Sequence, residues 1–183
     1  MRVESRVVAS KNFNWKLRNP EENDALELSK LRIKIDSETE NLAREPGEAV
    51  LDEKSFIEII REDNNSNGNL FLVAEVNGRL VGFARCVQMK LKRFSHQNDF
   101  GICILQEYCG QGIGNQLLKV IIDWSEKNNI EKISLNVIED NEGAINLYKR
   151  SGFVHEGLLL KDRKHSDGSY HNTVLMGRIS NKL

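Results

Sequence analysis

Residues 109–114 read CGQGIG (Cys109, Gly110, Gln111, Gly112, Ile113, Gly114), and residues 141–153 read NEGAINLYKRSGF. The first stretch lies between an apolar run, FGICIL (Phe100–Leu105), and a strongly periodic segment carrying Leu117, Leu118, Ile121, Ile122 and Trp124. A strand that runs into alternate glycines and straight on into a helix lets successive backbone N–H groups converge without side-chain obstruction. The helix start adds unpaired donors and the positive end of its dipole, which suits phosphate oxygens. Each such contact contributes roughly 0.3–1 kcal/mol when exposed and up to ~2 kcal/mol when partly buried, so several must act together. Two familiar nucleotide loops do not fit. A Walker loop needs Lys-Ser or Lys-Thr after its glycines, and a dinucleotide fingerprint needs G-x-G-x-x-G in an early βαβ unit. Here the spacing is G-x-G-x-G and the loop follows hairpin sequence. The plainer reading of the loop alone is a glycine turn that only caps a helix.

Outward from this loop, the chain alternates strand and helix signals. FLVAEV (Phe71–Val76) and RLVGFARCVQ (Arg79–Gln88) flank Asn77-Gly78, the signature of a two-residue hairpin turn. Upstream, Phe13–Arg18 alternates as a strand, 21–37 has Ala25, Leu28, Leu31 and Ile35 at helical spacing, and 52–62 repeats that pattern with Phe56, Ile59 and Ile60. Downstream, Lys132–Glu139 is a strand, and Glu142–Arg150 is a short helix with Asn141 as its cap and Gly152 as its stop. Phe153–Leu160 and Tyr170–Ile179 form a last strand pair around Asp167-Gly168. Residues 1–12 read as a flexible arm and 13–183 as one domain. The class is α/β, a mixed, mostly antiparallel sheet of about seven strands with about four helices.

Composition bounds the functions available. The chain has 183 residues with 39% hydrophobic content, enough for one domain with a substantial core. Its 26 Lys and Arg against 27 Asp and Glu give a net charge of -1, which supplies no general attraction to nucleic acid or an anionic membrane. No apolar run reaches the ~18 residues of a membrane span, and the N-terminal residues lack a signal-peptide stretch. Cys86, Cys103 and Cys109 lack paired spacing, so a disulfide framework and a structural zinc site are not expected and a cytoplasmic setting is. His155, His165 and His171 show no metal-ligand spacing, and no metal is expected.

Both quoted stretches resemble the GCN5-related N-acetyltransferase (GNAT) superfamily. Its phosphate loop, Q/R-x-x-G-x-G/A, is matched by Cys109–Gly114, and its segment N-x-x-A-x-x-L-Y-x-x-x-G-F is matched by Asn141, Ala144, Leu147, Tyr148, Gly152 and Phe153. The element order from Phe13 to Ile179 agrees with that fold, and the branch containing spermidine and ribosomal-protein N-terminal acetyltransferases looks nearest. Cys109 departs from the pattern, since it stands where Gln or Arg is usual and offers only its backbone N–H.

The resemblance implies acetyl-CoA as cosubstrate, lying in a splay between the fourth and fifth predicted strands with its pyrophosphate on Gly110–Gly114. The backbone of Ile104 and Leu105 is then expected to bond the pantetheine arm, with Cys109, Gln111, Ile113 and Asn141 beside the coenzyme. Tyr148 matches the tyrosine that protonates the leaving thiolate, and Asp99 is the first choice for the base, with His96 and Glu107 as rivals. Tyr148 as a packing residue and Asp99 as an exposed turn carboxylate are the plainer readings. The acceptor expected is a primary amine, either a small polyamine-like molecule or a peptide amine. The acidic segment 36–48 (Asp36, Glu38, Glu40, Glu45, Glu48, with Arg44 its only base) suits a cation if it rims the site. A homodimer is common in the family. The alternative from another class is a noncatalytic acyl-CoA sensor or interaction module.

Overall fold

The computed structural model describes residues 2–10 and 12–180. The order is β1 (Arg6–Ala9), β2 (Asn14–Arg18), α1 (Ala25–Glu38), α2 (Glu53–Asn65), β3 (Leu70–Val76), β4 (Arg79–Gln88), β5 (Gln97–Ile104), α3 (Ile113–Lys127), β6 (Lys132–Ile138), α4 (Glu142–Arg150), β7 (Val154–Lys164) and β8 (Tyr170–Ile179). The eight strands form one sheet ordered β1-β2-β3-β4-β5-β6-β8-β7. Every pairing is antiparallel except β5 with β6. No helix is long and apolar enough to cross a membrane among the described residues.

The local causes are legible. Asn77 and Gly78 both take positive φ (50° and 79°), the twist a tight hairpin between β3 and β4 requires. Asp52 caps α2 by accepting the Ser55 N–H at 2.8 Å. Because side chains alternate along a strand, the sheet offers two faces. On one, Arg32 of α1 reaches Cys103 and Phe56 of α2 meets Phe83 edge-on at 6.5 Å. On the other, α3 and α4 cover Ile102, Ile104 and Phe100. The core fills both layers, with Leu17, Leu28, Leu72, Val81, Leu117 and Ile121 fully buried.

Part of the expected arm at 1–12 forms a strand. Arg6–Ala9 pair with β2, from Arg6↔Leu17 to Ala9↔Asn14, making eight strands rather than about seven. The strand is short and an edge strand with Val7 71% exposed, so it carries no alternation of buried and exposed positions for a sequence pattern to detect. Beyond it, Ser10 Oγ donates to the Gln111 carbonyl, and Phe13 packs edge-on against Tyr108 at 5.6 Å. The N-terminal segment therefore braces the glycine loop.

Candidate functional site

The parallel pair β5–β6 is brief. It runs through Gln97↔Lys132, Asn98↔Ile133 and Asp99↔Ser134, and beyond Asp99 the two strands part. In an antiparallel ladder alternate residues turn their N–H and C=O toward the partner. Leu105 N–H donates to Val81 C=O at 2.9 Å, so Leu105 shares its direction with Cys103 and Gly101, toward β4. Ile102 and Ile104 turn theirs the other way, into the parting. Sequence reasoning grouped Ile104 with Leu105 as coenzyme contacts; the two differ. Leu105 is committed inside the fold, because its carbonyl also accepts Tyr108 N–H at 2.9 Å. The free edge is carried by Ile104 and, two residues back, by Ile102.

That edge leads through the 3-10 turn Gln106–Tyr108 into the glycine loop. Gly110 and Gly112 take φ of 73° and 90°, and a Cβ built on either would meet nothing within 4 Å. Gly112 caps α3, and the first ladder bond is Gln116 N–H to Gly112 C=O at 3.1 Å. The N–H groups of Ile113, Gly114 and Asn115 precede it at the positive end of the helix, and no acidic residue occupies the first turn. An open, side-chain-free concavity bordered by backbone donors fits a pyrophosphate. Gln111 is held by its neighbours: its Nε2 donates to Glu107 C=O at 2.9 Å, and its Oε1 accepts from Asn12 at 3.5 Å. The Cys109 thiol turns back toward the carbonyls of Leu105 (3.5 Å) and Ile104 (3.8 Å). Burial, helped by Glu38, pushes that thiol above its ordinary value, so it rests protonated rather than as a thiolate.

The second motif builds α4 against this loop. Asn141 Oδ1 accepts Ala144 N–H at 3.1 Å and so serves as the helix cap. Gly152 at φ 86° ends the helix, and Phe153 N–H returns to Tyr148 C=O at 3.0 Å. Tyr148 is 6% exposed and its ring meets Phe100 and Phe153 at 6.2 and 5.8 Å. Burial, and secondarily Cys103, hold its phenol above the usual value. Packing and a polar end coexist in this residue, and Cys103, one of the groups it senses, belongs to the opposite face of the sheet.

On that opposite face lies a cavity of about 230 Å³. Gly101 and Cys103, on one side of β5, line it, with Asp99 on the same side of the strand; Phe56 and Ile59 of α2 and the residues Arg32, Arg44 and Arg85 also line it. Asp99 is open to solvent at its rim, while neighbouring protein raises its carboxyl above the ordinary range by desolvation. Arg32 Nε meets Asp36 at 2.8 Å and its Nη1 approaches Cys103 Sγ at 3.4 Å. Arg85 Nη2 meets Asp63 at 2.9 Å. The rivals for the base lie elsewhere. The His96 carbonyl accepts Glu131 N–H at 2.9 Å, Glu107 stands 3.9 Å from Lys34, and neither residue lines the cavity.

The acidic segment does not rim this cavity. Asp36 is buried on Arg32, Glu38 accepts Gln106 N–H at 2.9 Å, and Glu40 stands 3.2 Å from His165. Only its single base, Arg44, faces inward. The arginine wall was missed because its members sit in three distant elements; the faint signals were Arg85 inside an apolar strand and the Arg32–Asp36 spacing. A second unpredicted cluster stacks His165 on His171 at 3.9 Å, with His171 between Asp140 and Ser169. Among the described residues no group of three or more His, Cys, Asp or Glu could hold a metal ion.

The chain is similar to several known proteins. An L-amino acid N-acetyltransferase of Escherichia coli is 32% identical over 111 residues, 59% of this chain and 67% of that protein. A spermidine N(1)-acetyltransferase of Escherichia coli is 30% identical over 105 residues, 57% of this chain and 55% of that one. The chain thus spans about half to two thirds of the length of these curated relatives. A GNAT-family acetyltransferase from Streptococcus pneumoniae superposes with a TM-score of 0.87 at 26% identity, covering 91% of this chain and 99% of that one. A phosphinothricin acetyltransferase from Sinorhizobium meliloti, solved in complex with acetyl-CoA, shares the fold at a TM-score of 0.78 and 18% identity, covering 89% and 86%. The model of the acetyltransferase (GNAT) family matches residues 36–153, from the end of α1 through both motifs. With the loop, the parted strands and the capped α4 all inside that span, the chain belongs to the acetyltransferase (GNAT) family.

Proposed function

We propose that this protein transfers an acetyl group from acetyl-CoA to a primary amine by direct attack. The observation that carries the reading is the free edge of β5 at Ile102 and Ile104, running without interruption onto the open donors of the glycine loop. That track suits a linear amide-containing arm ending in a pyrophosphate. Bound acetyl-CoA supplies an activated acyl carbon and a thiolate leaving group. The backbone of Gly110, Gln111, Gly112, Ile113 and Gly114 holds the pyrophosphate, with Cys109 contributing its N–H and Asn141 standing at the adjoining helix start. The Ile104 main chain bonds the pantetheine arm and polarises the thioester carbonyl, a source of rate enhancement when donors face developing oxyanion charge.

Two proton movements remain. The leaving sulfur has a pKa of ~8.5, so it needs only modest help, and the Tyr148 hydroxyl is assigned to give it a proton. An amine of pKa ~10.4 must lose a proton at a cost on the order of 4–5 kcal/mol at neutral pH, so the base matters more. Asp99 is assigned that proton, through water, since its carboxylate is short and sits at the cavity rim.

The test is coenzyme A release with a panel of amines, alongside calorimetric binding of acetyl-CoA. Turnover that falls about tenfold to a hundredfold in Tyr148→Phe, with acetyl-CoA affinity kept, supports the assignment. An unchanged rate when chemistry limits turnover removes Tyr148 from the mechanism. Binding without turnover on every amine would favour the sensor reading instead.

A further inference from the structure

We infer that the acceptor is a small zwitterion of amino acid type, its carboxylate held by Arg44 and its amine directed to Asp99; this deepens, and rests on, the acetyl-transfer reading above. The argument begins with charge accounting in the cavity. Three arginines and one aspartate line it. Arg32 and Arg85 are already neutralised by Asp36 and Asp63, whose side chains are 5% and 0% exposed and lie behind the wall. Arg44 is different. It is half-buried, faces the cavity and forms no ion pair among the described residues. Asp99 likewise has no cationic partner among them. The cavity therefore presents one uncompensated positive group and one uncompensated negative group, the complement of an α-amino acid.

Size and lining agree. At about 230 Å³ the cavity falls below the ~300–1,000 Å³ of sites for drug-sized ligands. Leu51, Phe56, Ile59 and Val87 supply an apolar wall suited to an uncharged side chain. Planar guanidinium groups match carboxylates in bidentate geometry, which a lysine would not reproduce. A polyamine meets the reverse situation. It brings no carboxylate for Arg44, its positive charges would face that uncompensated arginine, and none of the five acids of 36–48 lines the cavity. Like charges brought together out of water oppose binding, so the wall selects against a polycation as well as for a carboxylate.

The experiment compares neutral apolar L-amino acids, their carboxamides, spermidine and a peptide amine in the coenzyme A release assay, with wild-type protein and with Arg44→Gln and Arg44→Lys. We expect kcat/KM for the free acids to exceed that of the amides at least tenfold. Arg44→Gln should raise KM for the acids at least tenfold and bring the preference for acids over amides close to one, and Arg44→Lys should recover part of the loss. Acids and amides turned over equally, or spermidine preferred to every acid, would overturn the inference while leaving acetyl transfer intact. If no amine is acetylated, the transfer reading fails, and calorimetry with the amino acid alone decides the carboxylate site. Binding lost in Arg44→Gln then supports the site, and no binding overturns it.

Discussion

Gly114 and Leu147 come from separate motifs, yet a methyl group built on Gly114 would stand 3.6 Å from Leu147 Cδ2, and 3.4 Å from Cδ1 of Ile104. The first turn of α3, the free edge of β5 and the inner face of α4 therefore meet at one point. Both motifs are spaced as they are because each supplies a wall of the same cleft. One wall offers backbone donors; the other brings Tyr148 against Phe100 beside the parting of the strands.

The glycines of the loop differ in what they tolerate, and substitution should separate them. Gly112 holds φ 90°, so an alanine there has space but must adopt a left-handed backbone at roughly 1–2 kcal/mol. Gly112→Ala should lower Tm by about 2–8 °C and weaken acetyl-CoA binding, as the loop relaxes away from its donor geometry. Gly114 lies within α3, and an added methyl would meet its neighbours at ordinary contact distances of 3.4–3.6 Å. Gly114→Ala should leave Tm unchanged or raised, since alanine favours a helix by roughly 0.5–1 kcal/mol. Thermal denaturation and acetyl-CoA calorimetry on both variants check this contrast.

What the sequence revealed and what it hid follow from range of interaction. The Asn77-Gly78 hairpin, the Asn141 cap and the glycine loop are local chemistry, and each stands where its residues dictate. The difference between Ile104 and Leu105 depends on which neighbour β5 pairs with, and no residue type records that choice. The cavity wall was beyond reach for another reason. Arg32, Arg44 and Arg85 come from a helix, a loop and a strand, and a count of acids along 36–48 says nothing of which way each side chain turns. Charge counted along the chain says nothing of the three arginines that line the cavity together.

The Arg85–Asp63 pair supports that wall and should be costly to break. Asp63 is fully buried and also accepts Asn69 Nδ2 at 2.8 Å. Replacing Arg85 by methionine leaves its carboxylate without a cation, a loss of about 3–5 kcal/mol for a buried pair. Adding Asp63→Asn to Arg85→Met should restore much of that, because the uncompensated charge is gone. Urea unfolding of the two variants tests this; equal stabilities would show that the lone carboxylate is not the source of the loss.

Alkaline pH should destabilise the fold through its buried thiols. Burial pushes Cys86 up to about 12 and Cys103 up to about 11, against an ordinary value of 9.0. With the folded values raised, stability is fully present below about pH 9 and is lost as pH climbs toward the folded values, because the unfolded chain releases its protons first. Two such thiols give a loss of about 2 kcal/mol between pH 9 and 10. Cys86→Ala should remove roughly half of it. Urea midpoints measured at pH 8, 9 and 10 for both proteins give the difference in slope, and equal slopes would exclude Cys86 as a source.

Asp99 sets the acid limb of the reaction if it takes the proton from the amine. Desolvation raises its carboxyl above the ordinary range, so the ionised form is lost at a higher pH than for a free aspartate. The rate should therefore fall as pH drops through that raised value, and a carboxylate poised closer to neutrality is a better base than one near 4. Asp99→Asn keeps the shape of the rim and removes the titration. Its kcat/KM should fall at neutral pH and show no acid limb of this origin, while acetyl-CoA affinity stays unchanged, because Asp99 faces the cavity and not the glycine loop. Wild-type and variant pH–rate profiles on one amine decide the matter. A limb that survives the substitution at the same pH assigns the proton to another group.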